Sequence, residues 1–113
     1  MKREQFEQLT EQAVKSIPRK FKRYLENISI LVEDYNPQSR HILGIYHGVP
    51  YKHRGPYYGN VAPDVIVLYQ HAIEDICANE EEIKVQIQKV VIHEVGHYFG
   101  LSEAQLRELE NNH

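Results

Sequence analysis

Two histidines and a glutamate stand in the order His93-Glu94-Val95-Gly96-His97, the pattern H-E-x-x-H. On an α-helix, positions i and i+4 lie nearly above one another. Both imidazoles can therefore reach one metal ion, with Glu94 a step round the same end of the site. Neutral imidazoles hold zinc well, and a neighbouring carboxylate can take a proton from a water that the metal has made acidic. The chemistry within reach of these three residues is metal-assisted hydrolysis. With 7 His in 113 residues, such a pattern arises by accident at odds of roughly 0.05, so its surroundings have to decide.

The surroundings favour a metal. Val90, Val91, Ile92, Val95, Tyr98 and Phe99 are apolar round the whole circumference of a helix, which predicts burial on most sides. Two histidines and a carboxylate inside such a helix are costly unless they are paired or bind metal. Gly100 supplies the left-handed residue that ends the helix. Hydrolytic zinc sites usually take three protein ligands and keep one position open. Reading on from His97 gives the extended form H-E-x-x-H-x-x-G-x-x-E, in which a glycine lets the chain turn back and Glu103 becomes the third ligand. The bland reading of Glu103 is an acid favoured by the dipole at the start of a last helix. Glu108 is the reserve ligand, on the same helix.

The rest of the chain has to position this site. Residues 3–16 read as an amphipathic helix carrying Phe6, Leu9, Ala13 and Ile17. Pro18 opens a second short helix to about Leu25. Its run Arg19 to Arg23 reads as a solvated face over Phe21 and Leu25 rather than a phosphate patch. Ile28–Glu33 and Asp64–Tyr69 have strand composition, and Ile42–Tyr46 is a shorter, glycine-interrupted run. The Asp64–Tyr69 run is buried or half-buried in the minimal reading. In the functional one it is an exposed edge beside the metal helix, able to pair with an extended peptide. His47–Pro63 is a long Gly-, Pro- and Tyr-rich stretch, either a lid over the site or a surface excursion. Ala72–Ala78 reads as a helical turn, Asn79 as the N-cap of a long helix over 80–99, and Ser102 with Gln105 as a capping box for a helix over 103–110. Glu80, Glu81 and Glu82 suit the positive end of the long helix.

Length and composition bound the function. A chain of 113 residues supports one modest core, so residues 1–113 are expected to form a single domain: N-terminal helices 3–26, sheet and long loop 28–69, metal-site helix 80–99 and C-terminal helix 103–110. A formal charge of −3 argues against nucleic acid as a partner. One cysteine, Cys77, excludes an internal disulfide framework. No apolar run has membrane-spanning length and the N-terminus lacks a signal-peptide core, so a cytoplasmic location with no membrane partner is the default.

The order of elements resembles a known family. A Pro-started helix, a strand ending Val32-Glu33-Asp34, the segment Leu43-Gly-Ile-Tyr-His-Gly-Val-Pro50, a strand ending Leu68-Tyr69 and the terminal His93-to-Glu103 run are together similar to the small bacterial zincin-like metallopeptidase domain, a minimal zincin. The resemblance covers roughly residues 9–110. It implies an α+β fold with a small mixed sheet packed on the metal helix, Zn2+ or another divalent metal as cofactor, and a site of His93, Glu94 and His97 with an acid at Glu103. Its members contribute a fold and a site more firmly than a substrate. The methionine turn of true metzincins is impossible, because the only methionine is Met1.

The leading functional expectation is a zinc-dependent peptidase acting on a peptide or protein, with Glu94 as general base and Tyr69, His71 or a loop tyrosine stabilising the oxyanion. The alternative is a metal-stabilised interaction domain without turnover. Peptide deformylases share H-E-x-x-H but take a third ligand from an upstream cysteine in a Gly-Cys context, which Asp75-Ile76-Cys77-Ala78 does not provide. Ribosomal-RNA maturation metalloproteins lack the glutamate and have a basic surface. His41, His47, His53 and His71 fall at loops or strand ends, His71 being the most plausible neighbour of the site. Cys77 reads as a packing residue.

Overall fold

The computed structural model describes residues 1–22, 28–48 and 64–111, with the side chains of Lys20, Phe21, Glu103 and residues 109–111 outside that description. β-branched residues dominate two of the three strands, β1 (Ile28–Glu33) and β3 (Asp64–Tyr69), while β2 (Gly44–His47) is shorter. They form one sheet in the order β1-β3-β2. β3 runs parallel to β1, with Ile28 opposite Asp64 and Glu33 opposite Tyr69. It runs antiparallel to β2, with Gly44 opposite Leu68 and His47 opposite Val65.

β3 is therefore the central strand, hydrogen-bonded on both sides, and the expected exposed edge at Asp64–Tyr69 is corrected. The apolar continuity of Val65-Ile66-Val67-Leu68 is the mark of a strand buried on both faces and both edges. Among the described residues, the strand with a free edge beside the long helix is β2.

The two-residue alternation of β3 divides the core. Ile66 and Leu68 join the main apolar cluster with the long helix, whereas Val67 and Tyr69 form a second cluster on the other face with Ala72 and Tyr35. The N-terminal helix α1 (Arg3–Lys15) adds Phe6 and Ala13 to the main cluster, and Ile17 follows just beyond its end. Arg3 ties this helix to the sheet by donating to Val32 O at 2.8 Å and pairing with Asp34. α2 (Arg19–Lys22) begins directly after Pro18; residues 23–27, over which a longer helix was expected, lie outside the described residues.

The helix expected at Ala72–Ala78 starts earlier, as α3 (Gln70–Asp75), straight from the end of β3. The cause is tertiary. The Gln70 side chain is buried, accepts from Arg3 Nε at 2.6 Å and donates to Met1 O at 2.8 Å. No local pattern announces those partners. Cys77 follows, half-buried against the main cluster, and burial pushes its thiol up, which suits packing and not nucleophilic attack.

The long helix α4 (Glu80–Phe99) runs from an Asn79 cap whose side chain accepts from Glu82 N at 2.9 Å. Ile83, Ile87, Val90, Val91 and Val95 are buried along it. It ends at Gly100, φ 71°, where Gly100 N bonds His97 O at 3.0 Å and Leu101 N bonds Gly96 O at 2.9 Å. That is a Schellman ending, and glycine adopts its left-handed backbone without steric cost. The chain reverses into α5 (Glu103–Asn111), opened by the capping box Ser102 N to Gln105 Oε1 at 2.8 Å and Gln105 N to Ser102 Oγ at 3.2 Å. α5 then lays Leu106 on Gly96, where an added Cβ would stand 1.8 Å from Leu106 Cδ2. The fold is α+β, with a three-stranded mixed sheet packed on a buried helix.

Candidate metal centre

His93, Glu94 and His97 occupy one turn of α4, and one potential ligand atom from each lies within 4.8 Å of the others. The two imidazoles face each other with centroids 4.6 Å apart and planes at 67°, as the i,i+4 spacing demands. Glu94 is 5 % exposed, and both histidines are half-buried. The site is thus anchored in the core on its Glu94 side and open on its imidazole side.

Glu94 Oε1 lies 3.2 Å from His97 Nδ1. With Nδ1 engaged in this way, Nε2 is the nitrogen of that ring left to bind a metal. Burial pushes the Glu94 carboxyl above the usual carboxylate range, and the charges of His97 and His93, with the His97 hydrogen bond, only partly oppose it. A carboxylate moved toward neutrality is a better proton acceptor at physiological pH than an exposed one. Two imidazoles on a buried helix, a ligand pair already at helical spacing, fit a borderline ion such as zinc, with the Glu94 carboxylate beside them.

The groove over these residues lies between β2 and α4 and holds about 640 Å³. Its walls are Ile42–Tyr46 on one side and Gln86, Lys89 and Val90 on the other. Gly44 permits the close approach, since an added Cβ would meet Val90 Cγ1 at 2.7 Å and Val67 O at 3.1 Å. A second groove of about 630 Å³, between α1 and β1, has carboxylates and apolar side chains but no imidazole. Volume does not distinguish the two; donor chemistry does.

The structure separates the other candidates. Tyr69 is 2 % exposed and on the opposite face of the sheet, its hydroxyl accepting from Asn36 Nδ2 at 3.1 Å. His71 pairs with Glu74 Oε1 at 2.9 Å and Asp34 Oδ1 at 3.3 Å. Neither lines the groove, and both are withdrawn as oxyanion stabilisers or site neighbours. Alternation along β3 turns Tyr69 away, and the early start of α3 turns His71 toward Asp34. Glu103 is the first residue of α5, directly beyond the Schellman turn, and its side chain lies outside the described residues. Glu108 is exposed on α5 and does not join the cluster. His41 and His47 are exposed; His53 and the stretch 49–63, expected as a lid, lie outside the described residues.

Tyr46 was missed. It lines the groove from β2, packs edge-on to Tyr98 at 6.0 Å and donates its hydroxyl to Asp64 Oδ2 at 2.7 Å. Asp64 is itself buried. Sequence offers a weak signal, a tyrosine two residues after a glycine in a short strand, but only the register of β2 on β3 shows that it faces the helix.

Comparison with known proteins gives the family. The family described as zincin-like metallopeptidase matches residues 25–113, and the chain belongs to it. A conserved hypothetical protein from Thermo thermophilus has a similar structure, with a TM-score of 0.59 at 20 % identity over 99 % of this chain and 100 % of that one. At that identity the likeness is one of fold. A comparison with curated proteins finds no match.

Proposed function

We propose that the protein is a zinc-dependent peptidase. The observation that carries this reading is the His93–Glu94–His97 cluster, buried on its carboxylate side and open to a groove bordered by the edge of β2. His93 and His97 would hold the metal, with Glu103, the acid of the extended motif, as the expected third ligand. It follows His97 by one tight turn and starts a helix whose Leu106 is pinned to Gly96. Zinc, when bound, supplies a Lewis acid that lowers the pKa of a coordinated water to about 7.

Glu94 takes the proton from the attacking water, then passes it to the leaving amine. Its burial raises the proton affinity of the carboxyl, the direction that favours a proton acceptor. The edge of β2 offers backbone donors and acceptors to an extended substrate, a role first expected of β3. Tyr46, fixed by Asp64 and packed on Tyr98 next to His97, forms part of the groove wall.

Metal analysis of the wild type beside Glu103→Ala, followed by digestion of a peptide library, tests the reading. Stoichiometric zinc in the wild type, its loss or marked weakening in Glu103→Ala, and cleavage abolished by Glu94→Gln are expected. A protein that carries zinc but cleaves nothing across the library is instead a metal-stabilised interaction domain. Absence of stoichiometric metal, with His93→Ala unchanged in metal content, overturns the metal site itself.

A further inference from the structure

The metal-binding stripe of α4 does not stop at His93. Going back four residues at a time from His97 and His93 reaches Lys89 and then Val85, and positions four apart form a ridge along one side of a helix. Val85, in the second turn of α4, is 46 % exposed, outside the helix's buried face. Beside it stands Ile76, 59 % exposed at the end of α3. These two are the large exposed apolar side chains on this side of the molecule; Leu31, on β1, is the third among the described residues.

Surface relief links them to the site. A depression of about 370 Å³ is lined by Ile76, Cys77 and Val85, with Glu81 and Glu82 at its border, and shares Gln86 and Lys89 with the groove over His93, Glu94 and His97. The two are consecutive stretches of one track, running from the imidazoles over Lys89 to an apolar shelf. Exposed apolar side chains are ordinary singly; two on one depression that opens into a functional groove mark a contact surface.

Spacing sets the ligand. From His93 to Val85 is eight residues of helix, roughly 12 Å at about 1.5 Å per residue. An extended chain covers that length in about four residues at roughly 3.3 Å each. We infer that the track is an exosite for extended polypeptide, in which an apolar side chain about four residues from the bond at the metal seats on Ile76 and Val85. This inference rests on the peptidase reading and gives it a substrate class: segments of unfolded or extended protein, not dipeptides or small amides. Lys89, midway, favours an acidic or neutral residue about two positions from that bond and disfavours a basic one.

The test uses zinc-loaded full-length protein and quenched fluorescent peptides of roughly twelve residues, long enough to span groove and shelf. A single Leu is walked through a Gly/Ser/Ala background, and cut positions are read by mass spectrometry. Cleavage should be fastest with Leu about four residues to one side of the cut. Val85→Gln and Ile76→Gln, both at exposed positions, should each lower kcat/KM for those peptides about tenfold, the scale of one lost apolar contact. They should leave peptides of about four residues unaffected and the thermal midpoint unchanged. Rates independent of the position of Leu, or equal losses on short and long peptides, overturn the exosite. If the wild type cuts none of them, the peptidase reading fails separately. The shelf is then read by fluorescence anisotropy of the same sequences carrying the fluorophore without the quencher: Leu-dependent binding weakened about tenfold in Val85→Gln sustains it, and equal affinity overturns it.

Discussion

Two grooves of nearly equal volume flank the main core, one between α1 and β1 and one between α4 and β2. Both are lined by a helix that presents carboxylates beside a strand. In the first, Glu4, Glu7 and Glu11 sit on the outer face of α1, exposed to water. In the second, Glu94 is buried and flanked by two imidazoles. An exposed carboxylate is solvated and chemically ordinary. A buried one has its charged form disfavoured, and beside two imidazoles it has the setting that the proposed base role requires. The difference lies in the helix. α1 buries one stripe and leaves the other to solvent, whereas α4 is packed by the sheet, α1 and α5 together.

The strongest way to break this contrast is at the imidazoles. His93→Ala should abolish stoichiometric zinc, with affinity falling by more than the roughly 10–100-fold that loss of an outer-shell partner costs. Glu7→Gln should leave metal content untouched. Metal analysis after gel filtration reads both.

Next in size is the packing that makes the second groove rigid. Leu106→Ala should cost ~2–5 kcal/mol, because it empties the contact on Gly96. Gly96→Ala should cost ~3 kcal/mol by driving a methyl into Leu106. The double variant should lose less than the sum, since the smaller side chain makes room for the methyl. Urea unfolding measures all three. Additive losses would show that the helix ends do not meet at this point.

A smaller effect tests the far end of the same helix. Asn79→Ala removes the acceptor for Glu82 N and should lower stability by ~1 kcal/mol. Glu7→Gln should change it by less than ~0.5 kcal/mol.

The pH dependence sharpens the contrast between carboxylates. In the metal-free protein the Glu94 carboxyl lies above its ordinary value because it is buried. The folded state therefore binds its proton more tightly than the unfolded chain does. Its contribution to stability is full below the ordinary carboxylate pKa and is lost as pH rises through the elevated folded value. Glu94→Gln should remove that decline and make the metal-free protein relatively more stable at neutral pH, whereas Glu7→Gln should not. Chemical denaturation of chelator-treated protein across roughly pH 4–8 checks the sign.

How much of this was legible in the sequence follows from the range of the forces involved. The metal helix, its Asn79 cap, its Gly100 ending and the Ser102–Gln105 capping box are local. Each depends on residues within about four positions of one another, and each stands where the pattern put it. The strands at Ile28–Glu33 and Asp64–Tyr69 were equally legible, since composition and run length suffice. Which of them would be an edge was not. β3 became the centre of the sheet because its partners arrive from residues 28–33 and 44–47, distant in the chain. The early start of α3 at Gln70 depended on Arg3 and Met1, further still.

By itself, then, the sequence determined that a helix would carry two imidazoles and a carboxylate on one turn, and that the chain would reverse immediately after it. Helical period and capping chemistry settle both. Tertiary structure alone decided what surrounds that turn: that β2 and not β3 borders the groove as an edge, that Tyr46 faces the groove while Tyr69 and His71 turn away, and that Val85 and Ile76 line one depression adjoining the groove at Gln86 and Lys89. Those outcomes depend on strand register and on packing between distant segments, and a one-residue shift of register would reverse every facing along a strand.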